Sequence, residues 1–325
     1  MMAVYYPSNE RLERGDAQAL ARQPLWIDLL DPTREEESAV QNLLRIDVPT
    51  REEMQEIEAT SRLYKEDGTY YLTAPILTYA DGPHPESTSV TFILAKACLV
   101  TVRHATPQPF LTFPQRALRQ KGISPSADAV LVGLLETVVD RLADVLERVG
   151  SDLELLSREI FRPALPARHA KLRQDRDLQA ILLRVGRSGD LGSKARDSLL
   201  GISRMLAFLN QATEEWNEVD TLISVKSVTR DIGSLSEHAA FTSTKVTFLL
   251  DATLGMINVE QNAIIKIFSV MAVVLMPPTL IASIYGMNFE HMPELAWVLG
   301  YPWALVLMVI CAILPYLYFK RRGWL

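Results

Sequence analysis

Few residues in this chain of 325 have the type and spacing to do chemistry, and they gather in one short polar stretch, Tyr285-Gly286-Met287-Asn288, followed by Glu290 and Glu294. Gly286 lets the backbone turn sharply or approach another copy closely. Asn288 offers a neutral carbonyl oxygen, and a ring of such oxygens can hold a hydrated cation through its water shell. Mg²⁺ gives up water reluctantly, so outer-sphere capture at Asn288 suits it better than a tight carboxylate cage. Glu290 and Glu294 would raise the local cation concentration beside that ring.

The flanks explain why so polar a gap is needed. No charged residue occurs from Ile267 to Phe289, nor from Leu295 to Phe319. About 20 apolar residues carry a helix across the hydrocarbon of a bilayer, so both runs are long enough. Lys266 precedes the first run, and Lys320, Arg321 and Arg322 follow the second, whereas the connection holds only acidic charge. The positive-inside rule therefore places both termini in the cytoplasm and the short loop outside. Trp297, Tyr301 and Trp303 near the outer edge, with Tyr316, Tyr318 and Trp324 toward the inner one, fit interfacial aromatics. The N-terminal residues lack the apolar core of a signal peptide, so residues 1 to about 262 are expected in the cytoplasm. Cys98 sits in a strand-like run and Cys311 in the second apolar run, and these two cysteines are not expected to pair.

Along the first run, Asn262, Ser269, Met276 and Ser283 recur every seven residues, with Thr279 a turn beyond Met276. Polar side chains in lipid are costly unless they face a cavity or another helix. Small-residue packing between helices explains single Ser and Thr residues equally well. Asn262 and the regular repeat favour the lining of a central passage. Two helices cannot enclose water, so conduction requires several copies in a ring. Pro277 and Pro278 interrupt the backbone ladder near Val273, a kink that fits bundle geometry or frees a carbonyl.

Other chemistry is not supported. There is no GxxxxGK[ST] phosphate loop, hence no sign of ATP use. His84, His104, His169, His238 and His291 show no ligand spacing among themselves or with cysteine. Residues from 263 onward carry four basic and two acidic side chains, so a net charge of −6 for the chain leaves about −8 on the part before them. An acidic surface argues against nucleic-acid binding. Nothing points to catalysis or to a cofactor.

The elements that must position the polar stretch follow from pattern. Prolines are spread through the front as far as Pro166, and none follows until Pro277, so long helices become possible in the second half. Residues 1–125 read as a mixed α/β domain. Leu25–Leu30 is a buried strand, Asp31 caps a helix beginning at Pro32, and Thr50 with Glu53 forms a capping box. The runs "TYYLTAPILTYA", "STSVTFILA" and "CLVTVRH" are strands, the last two a hairpin turning at Lys96, and a short helix ends at Gly122. Residues 126–262 read as a helical stalk. Leu131, Leu135, Val138, Leu142, Val145, Val149 and Leu156 form a packing seam broken at Asp152. Pro163 ends that helix, another spans Ala170–Val185, "GRSGDLGS" makes a turn, and a third spans Ser193–Trp216. The last helix begins near Val219 and runs on into the membrane segment, about 100 Å if continuous to 285. Residues 263–325 form the membrane part.

The run "YGMNFEHMPEL", with "MPPT" upstream and "YFKRRGWL" closing the chain, resembles the CorA family of divalent-cation channels, in particular its bacterial magnesium-and-cobalt branch. The likeness extends through "NVEQNAIIKIFSV" and, more loosely, to "WIDLLDP" and "REEMQEIEATSR". It implies an α+β cytoplasmic domain, a long helical stalk and two C-terminal transmembrane helices, assembled as a CorA-like homopentameric funnel in the bacterial inner membrane. By the same resemblance Gly286, Met287 and Asn288 form the outer selectivity ring, and Met276, Thr279 and Asn262 line the path. Lys320, Arg321 and Arg322 belong to a basic collar at the inner mouth. The resemblance further implies Mg²⁺ as the transported ion, Co²⁺ and Ni²⁺ as secondary ions, and gating of the pore by cytoplasmic Mg²⁺. The regulatory ligands are not placed by the resemblance; Asp220 and Asp231 are candidates, with solvated helix charges the plainer reading. His291 stands where many relatives carry an aromatic. A zinc-directed transporter of the same fold, or a membrane-anchored assembly or sensor protein that conducts nothing, are the alternatives.

Overall fold

The computed structural model describes residues 1–8, 11–15, 23–56, 58–95, 97–119, 126–161, 178–212, 219–288, 292–293 and 297–324. The chain divides into two compact units, Met1–Leu250 and Asp251–Leu325.

The first unit is built on a seven-stranded sheet. Its strands are β1 (Met2–Ser8), β2 (Arg11–Gly15), β3 (Trp26–Leu30), β4 (Leu63–Glu66), β5 (Thr69–Thr78), β6 (Glu86–Ala95) and β7 (Cys98–Arg103). They lie in the order β2-β1-β3-β7-β6-β5-β4. Every pairing is antiparallel except β3 with β7, which run parallel with Ile27 opposite Val100. The expected hairpin between "STSVTFILA" and "CLVTVRH" is present as β6 and β7, with Ala95 opposite Cys98.

Alternation along the strands produces two faces. One buries Val4, Ile27, Leu29, Ile93, Val100 and Val102 together with Val40 of α1 (Arg34–Leu44). Cys98 lies in that core, and burial pushes its thiol up to about 12, leaving it an inert small hydrophobe. The opposite face carries Trp26, whose ring meets Phe113 of α3 (Pro109–Arg119) edge-on with centroids 5.7 Å apart. That face also holds a buried polar network. Arg103 donates from Nε and Nη2 to the two oxygens of Asp28 at 3.0 and 2.8 Å, and from Nη1 to the Ala105 carbonyl at 2.7 Å. Thr101 donates to Asp28 at 2.8 Å and accepts from the Trp26 indole at 3.0 Å. A charge in the middle of "WIDLL" is thus fully paired, as burial demands.

Two local expectations are corrected. Asp31 does not cap α1. Its φ of 40° is left-handed, and its carboxylate lies 2.9 Å from His104 Nδ1. Thr33 is the cap, because Thr33 and Glu36 satisfy each other's backbone amides reciprocally, two bonds where Asp31 would make one. The Thr50–Glu53 box does form, with Glu53 accepting from the Thr50 amide at 2.7 Å. It supports only one 3₁₀ turn, Glu53–Gln55, before the four-residue α2 (Ala59–Arg62), because the chain must extend into β4 within a few residues.

Two long helices of this unit, α4 (Ala127–Phe161) and α5 (Leu178–Ala212), lie wholly within it. All seven members of the expected α4 seam are buried. Asp152 points out and Leu153 takes its place, because a 3.6-residue turn drifts from a strict seven-residue repeat. The expected turn at "GRSGDLGS" is wrong: Gly186 to Ser193 is helical, and the two helices predicted around it are one. Packing explains Gly189, and Gly201 further along the same helix. A Cβ on Gly189 would lie 2.9 Å from Val246 Cγ1, one on Gly192 would touch Val149, and one on Gly201 would lie 2.5 Å from the Pro75 ring. Each glycine costs about 1 kcal/mol of helix propensity, and at Gly189 and Gly201 it lets a neighbour come closer than a methyl allows. The expected limits at Gly122, Pro163, Ala170 and Trp216, and the turn residue Lys96, fall outside the described residues.

The β5–β6 turn is clamped onto α4. Asp81 accepts from Arg141 Nη2 at 2.6 Å and from Arg148, which also donates to the Ala80 carbonyl at 2.8 Å. The Arg148 bond, then that of Arg141, holds the Asp81 carboxyl below the usual carboxylate range. A depressed carboxylate stabilises the fold above its unfolded value, near 4, and loses that contribution as pH falls through the folded one. At 61% side-chain exposure the clamp contributes at most about 1 kcal/mol. Melting temperatures of Asp81→Asn and the parent should therefore differ at pH 7 and converge on acidification below about pH 4.

The helix α6 (Val219–Tyr285) runs 67 residues, continuing from Val219 into the first apolar run as expected and through Pro277 and Pro278. Its segment from Asp251 belongs to the second unit, which also contains α7 (Gly300–Arg321). Both helices are long and apolar enough to cross a membrane.

Candidate functional site

The residues singled out by type and spacing lie on the C-terminal part of α6 and just beyond it. Asn262, Ser269, Met276, Thr279 and Ser283 are all solvent-exposed along α6 in the single chain. At 100° per residue they fall within an arc of about 100° on one side of that helix. Met276, at 69% exposed, is among the least covered apolar residues of the chain. Met276, Thr279 and Ser283 border a shallow apolar groove that Phe268, Met271 and Leu275 continue toward the N-terminal end. Thr279 is not free to serve a ligand with its proton: its hydroxyl donates to the Leu275 carbonyl at 2.8 Å. Its oxygen lone pairs remain. The helix continues through Pro277 and Pro278, which leaves the carbonyls of Val273 and Val274 without their usual amide partners.

Beyond Tyr285 the backbone closes one last turn. The Gly286 amide donates to the Ala282 carbonyl at 3.0 Å and the Met287 amide to Ile284 at 3.3 Å. A Cβ at Gly286 would stand 3.1 Å from the Ala282 oxygen, so a side chain here would have to push the turn open. Met287 and Asn288 are exposed. A helix C-terminus carries unsatisfied carbonyls and roughly half a negative charge. Asn288 therefore sits where both its own oxygen and the end of α6 favour a cation. Glu290, His291 and Glu294 lie outside the described residues. Beyond that loop Trp297 and Trp303 lie with ring centroids 6.5 Å apart, and Tyr301 is 76% exposed.

At the other end of the second unit the structure adds a member that sequence reasoning left out. Lys320, Arg321 and Arg322 close α7, and Lys266 of α6 joins them, its Nζ 5.9 Å from the Trp324 ring centroid. The signal was present in the sequence: two antiparallel spans must bring the residue before the first beside those after the second.

Of the regulatory candidates, Asp231 is exposed on α6, and the side chain of Asp220 lies outside the described residues. Burial pushes the Asp140 carboxyl up, Arg116 opposes, and the charges of Asp144 and Asp231 add to the rise. Among the described residues no group of three or more His, Cys, Asp or Glu side chains could hold a metal ion.

Comparison with known proteins bears on the whole chain. The family model described as CorA-like Mg²⁺ transporter protein matches residues 21–321. The magnesium transport protein CorA of Yersinia pseudotuberculosis is 40% identical over 329 residues, covering 100% of both chains. That of Escherichia coli is 37% identical over 330 residues, again covering 100% of both. Among solved structures, the CorA magnesium transporter of Methanocaldococcus jannaschii superposes with a TM-score of 0.74 at 17% identity, covering 100% of this chain and 99% of that one. The cytoplasmic domain of ZntB from Vibrio parahaemolyticus gives 0.57 at 12% identity, over 79% of this chain and 97% of that one.

Proposed function

Because the chain belongs to the CorA-like Mg²⁺ transporter family, a family of transporters and not an enzyme class, we propose that it conducts Mg²⁺ into the cell as a homopentameric channel of the bacterial inner membrane. The observation that carries this reading is the Gly286-Met287-Asn288 turn at the C-terminal end of a 67-residue helix, in a chain that matches magnesium transport proteins over its full length. In this reading residues 1–125 are the cytoplasmic α/β domain, 126–262 the stalk and 263–325 the membrane domain, with both termini inside. Copies of α6 surround the passage, with Asn262, Ser269, Met276, Thr279 and Ser283 toward it and Met276 as an apolar constriction. Gly286, Met287 and Asn288 form the outer ring, where amide oxygens hold the ion through its water shell. Glu290 and Glu294 concentrate cations outside. Lys320, Arg321 and Arg322 form a collar at the inner mouth. Co²⁺ and Ni²⁺ are secondary ions, and Mg²⁺ on the cytoplasmic part closes the pore.

No fuel is needed. With the interior negative, a divalent ion gains about 4.6 kcal/mol per 100 mV on entering. The full chain in liposomes loaded with a Mg²⁺-sensitive dye should fill faster as the interior is made more negative. Vesicles that stay sealed to Mg²⁺ under that potential overturn the reading. Zn²⁺ offered to the same vesicles separates it from a zinc-directed transporter of this fold.

A further inference from the structure

The basic end of the second unit is organised around aromatic rings. Besides Lys266 over Trp324, Lys320 Nζ lies 5.9 Å from the Tyr316 ring centroid and the Arg322 guanidinium 5.5 Å from that of Tyr318. Phe319 ties these rings together, 5.6 Å from Tyr318 and 5.3 Å from Trp324. Lys266, Lys320, Arg321 and Arg322 are exposed, and none of them takes part in an ion pair among the described residues. Between Lys266 and Lys320 the only carboxylates in the sequence are Glu290 and Glu294, which follow the opposite end of α6. Before Lys266 the nearest is Glu260, more than a helical turn away. Four like charges therefore stand close together, and none is paired with a carboxylate among the described residues.

We propose that this cluster binds the headgroup of an anionic phospholipid in the cytoplasmic leaflet. The proposal rests on the membrane reading of α6 and α7, and not on conduction. Each part has a role in such a site. The ring faces restrain the long basic side chains, so less rotamer freedom is lost when a phosphodiester arrives. Arg321 and Arg322 present planar donor forks that match phosphate oxygens. Trp324 is 43% exposed at the foot of an apolar helix, where an indole sits between headgroup and acyl chain. A basic residue at an anionic membrane surface contributes about 1 kcal/mol, or roughly fivefold in affinity. A zwitterionic headgroup offers no such net attraction. Like-charge repulsion among the four cations makes a permanent anion at this position favourable in its own right.

The test uses the full chain carrying Trp297→Phe and Trp303→Phe, which leaves Trp324 the only tryptophan in or after the apolar segments. It is reconstituted in phosphatidylcholine vesicles in which either brominated phosphatidylglycerol or brominated phosphatidylcholine is the minor component, and quenching of tryptophan emission is titrated. Phosphatidylglycerol should associate about tenfold more strongly than phosphatidylcholine. Replacing Lys320, Arg321 and Arg322 together by Gln should bring that ratio close to one. Equal quenching by both lipids in the parent, or a ratio unchanged in the triple variant, overturns the proposal. Selectivity erased by inorganic phosphate would make this a site for a soluble anion and overturns it too. Absence of quenching by either lipid means the segment does not reach the bilayer, which sinks the membrane reading and this proposal together. The comparison of the two lipids on the parent needs no basic-residue variant to fold.

Discussion

Asn288→Ala in the full chain should abolish Mg²⁺ entry into dye-loaded vesicles while leaving the protein folded and inserted. The residue follows the last turn of α6 and is exposed, so its removal costs the fold little. In the proposed ring the loss is multiplied. Each copy forfeits one oxygen that accepts from the ion's water shell, about 1 kcal/mol per hydrogen bond. Repeated around a ring, that amounts to several kcal/mol, or a fall in flux of at least about a hundredfold. Asn288→Asp distinguishes a neutral ring from mere electrostatic attraction. A ring of carboxylates should hold the divalent ion more tightly and release it more slowly, lowering flux while raising apparent affinity. A membrane anchor with no conduction pathway predicts indifference to both substitutions. Flux that survives Asn288→Ala with the protein inserted would remove this residue from the ion path.

The second large effect concerns the sheet. Arg103→Met should destabilise the first unit by about 3–5 kcal/mol, because it leaves the Asp28 carboxylate buried without its cation. The side chains of Arg103 and Asp28 are only 5% and 8% exposed, so water cannot substitute. The reciprocal Asp28→Leu strands the guanidinium, with a similar cost. The double substitution removes both charges and should recover most of the loss, since a buried pair often does no better than apolar side chains of similar volume. Urea titration followed by tryptophan emission reports this directly, because Trp26 donates to Thr101 within the network and stacks on Tyr5 at 4.5 Å. A double variant no more stable than either single one would show that the network does more than balance its own charges.

What could be read from the sequence was whatever depends on one segment at a time. The two uncharged runs, the buried α4 seam, the β6–β7 hairpin and the polar stretch after Tyr285 all follow from local pattern. The failures share a different cause. "GRSGDLGS" has the composition of a turn, and Val246, packed where a Gly189 side chain would stand, shows why one of its glycines sits inside a helix. The Thr50–Glu53 box makes its hydrogen bonds, yet the demand of the following strand overrides it. Asp31 and Thr33 compete for one cap, and the choice turns on a partner three residues downstream. Lys266 looked like a flank of the first span; its neighbours at the end of the chain show only in three dimensions. Asn262, Ser269, Met276, Thr279 and Ser283 share one side of α6, and in the proposed ring their surroundings would come from other copies of the chain.

The parallel pairing of β3 with β7 has a consequence for synthesis. On the ribosome, β3 has only β1 to pair with until β7 emerges, since Asp28 and its partner Thr101 are 73 residues apart. At about 5–20 residues per second that is a wait of several seconds, during which the apolar side chains of Ile27 and Leu29 lack their final cover. Until residue 103 has left the exit tunnel those side chains remain open to other chains, and they present a target to a holding chaperone.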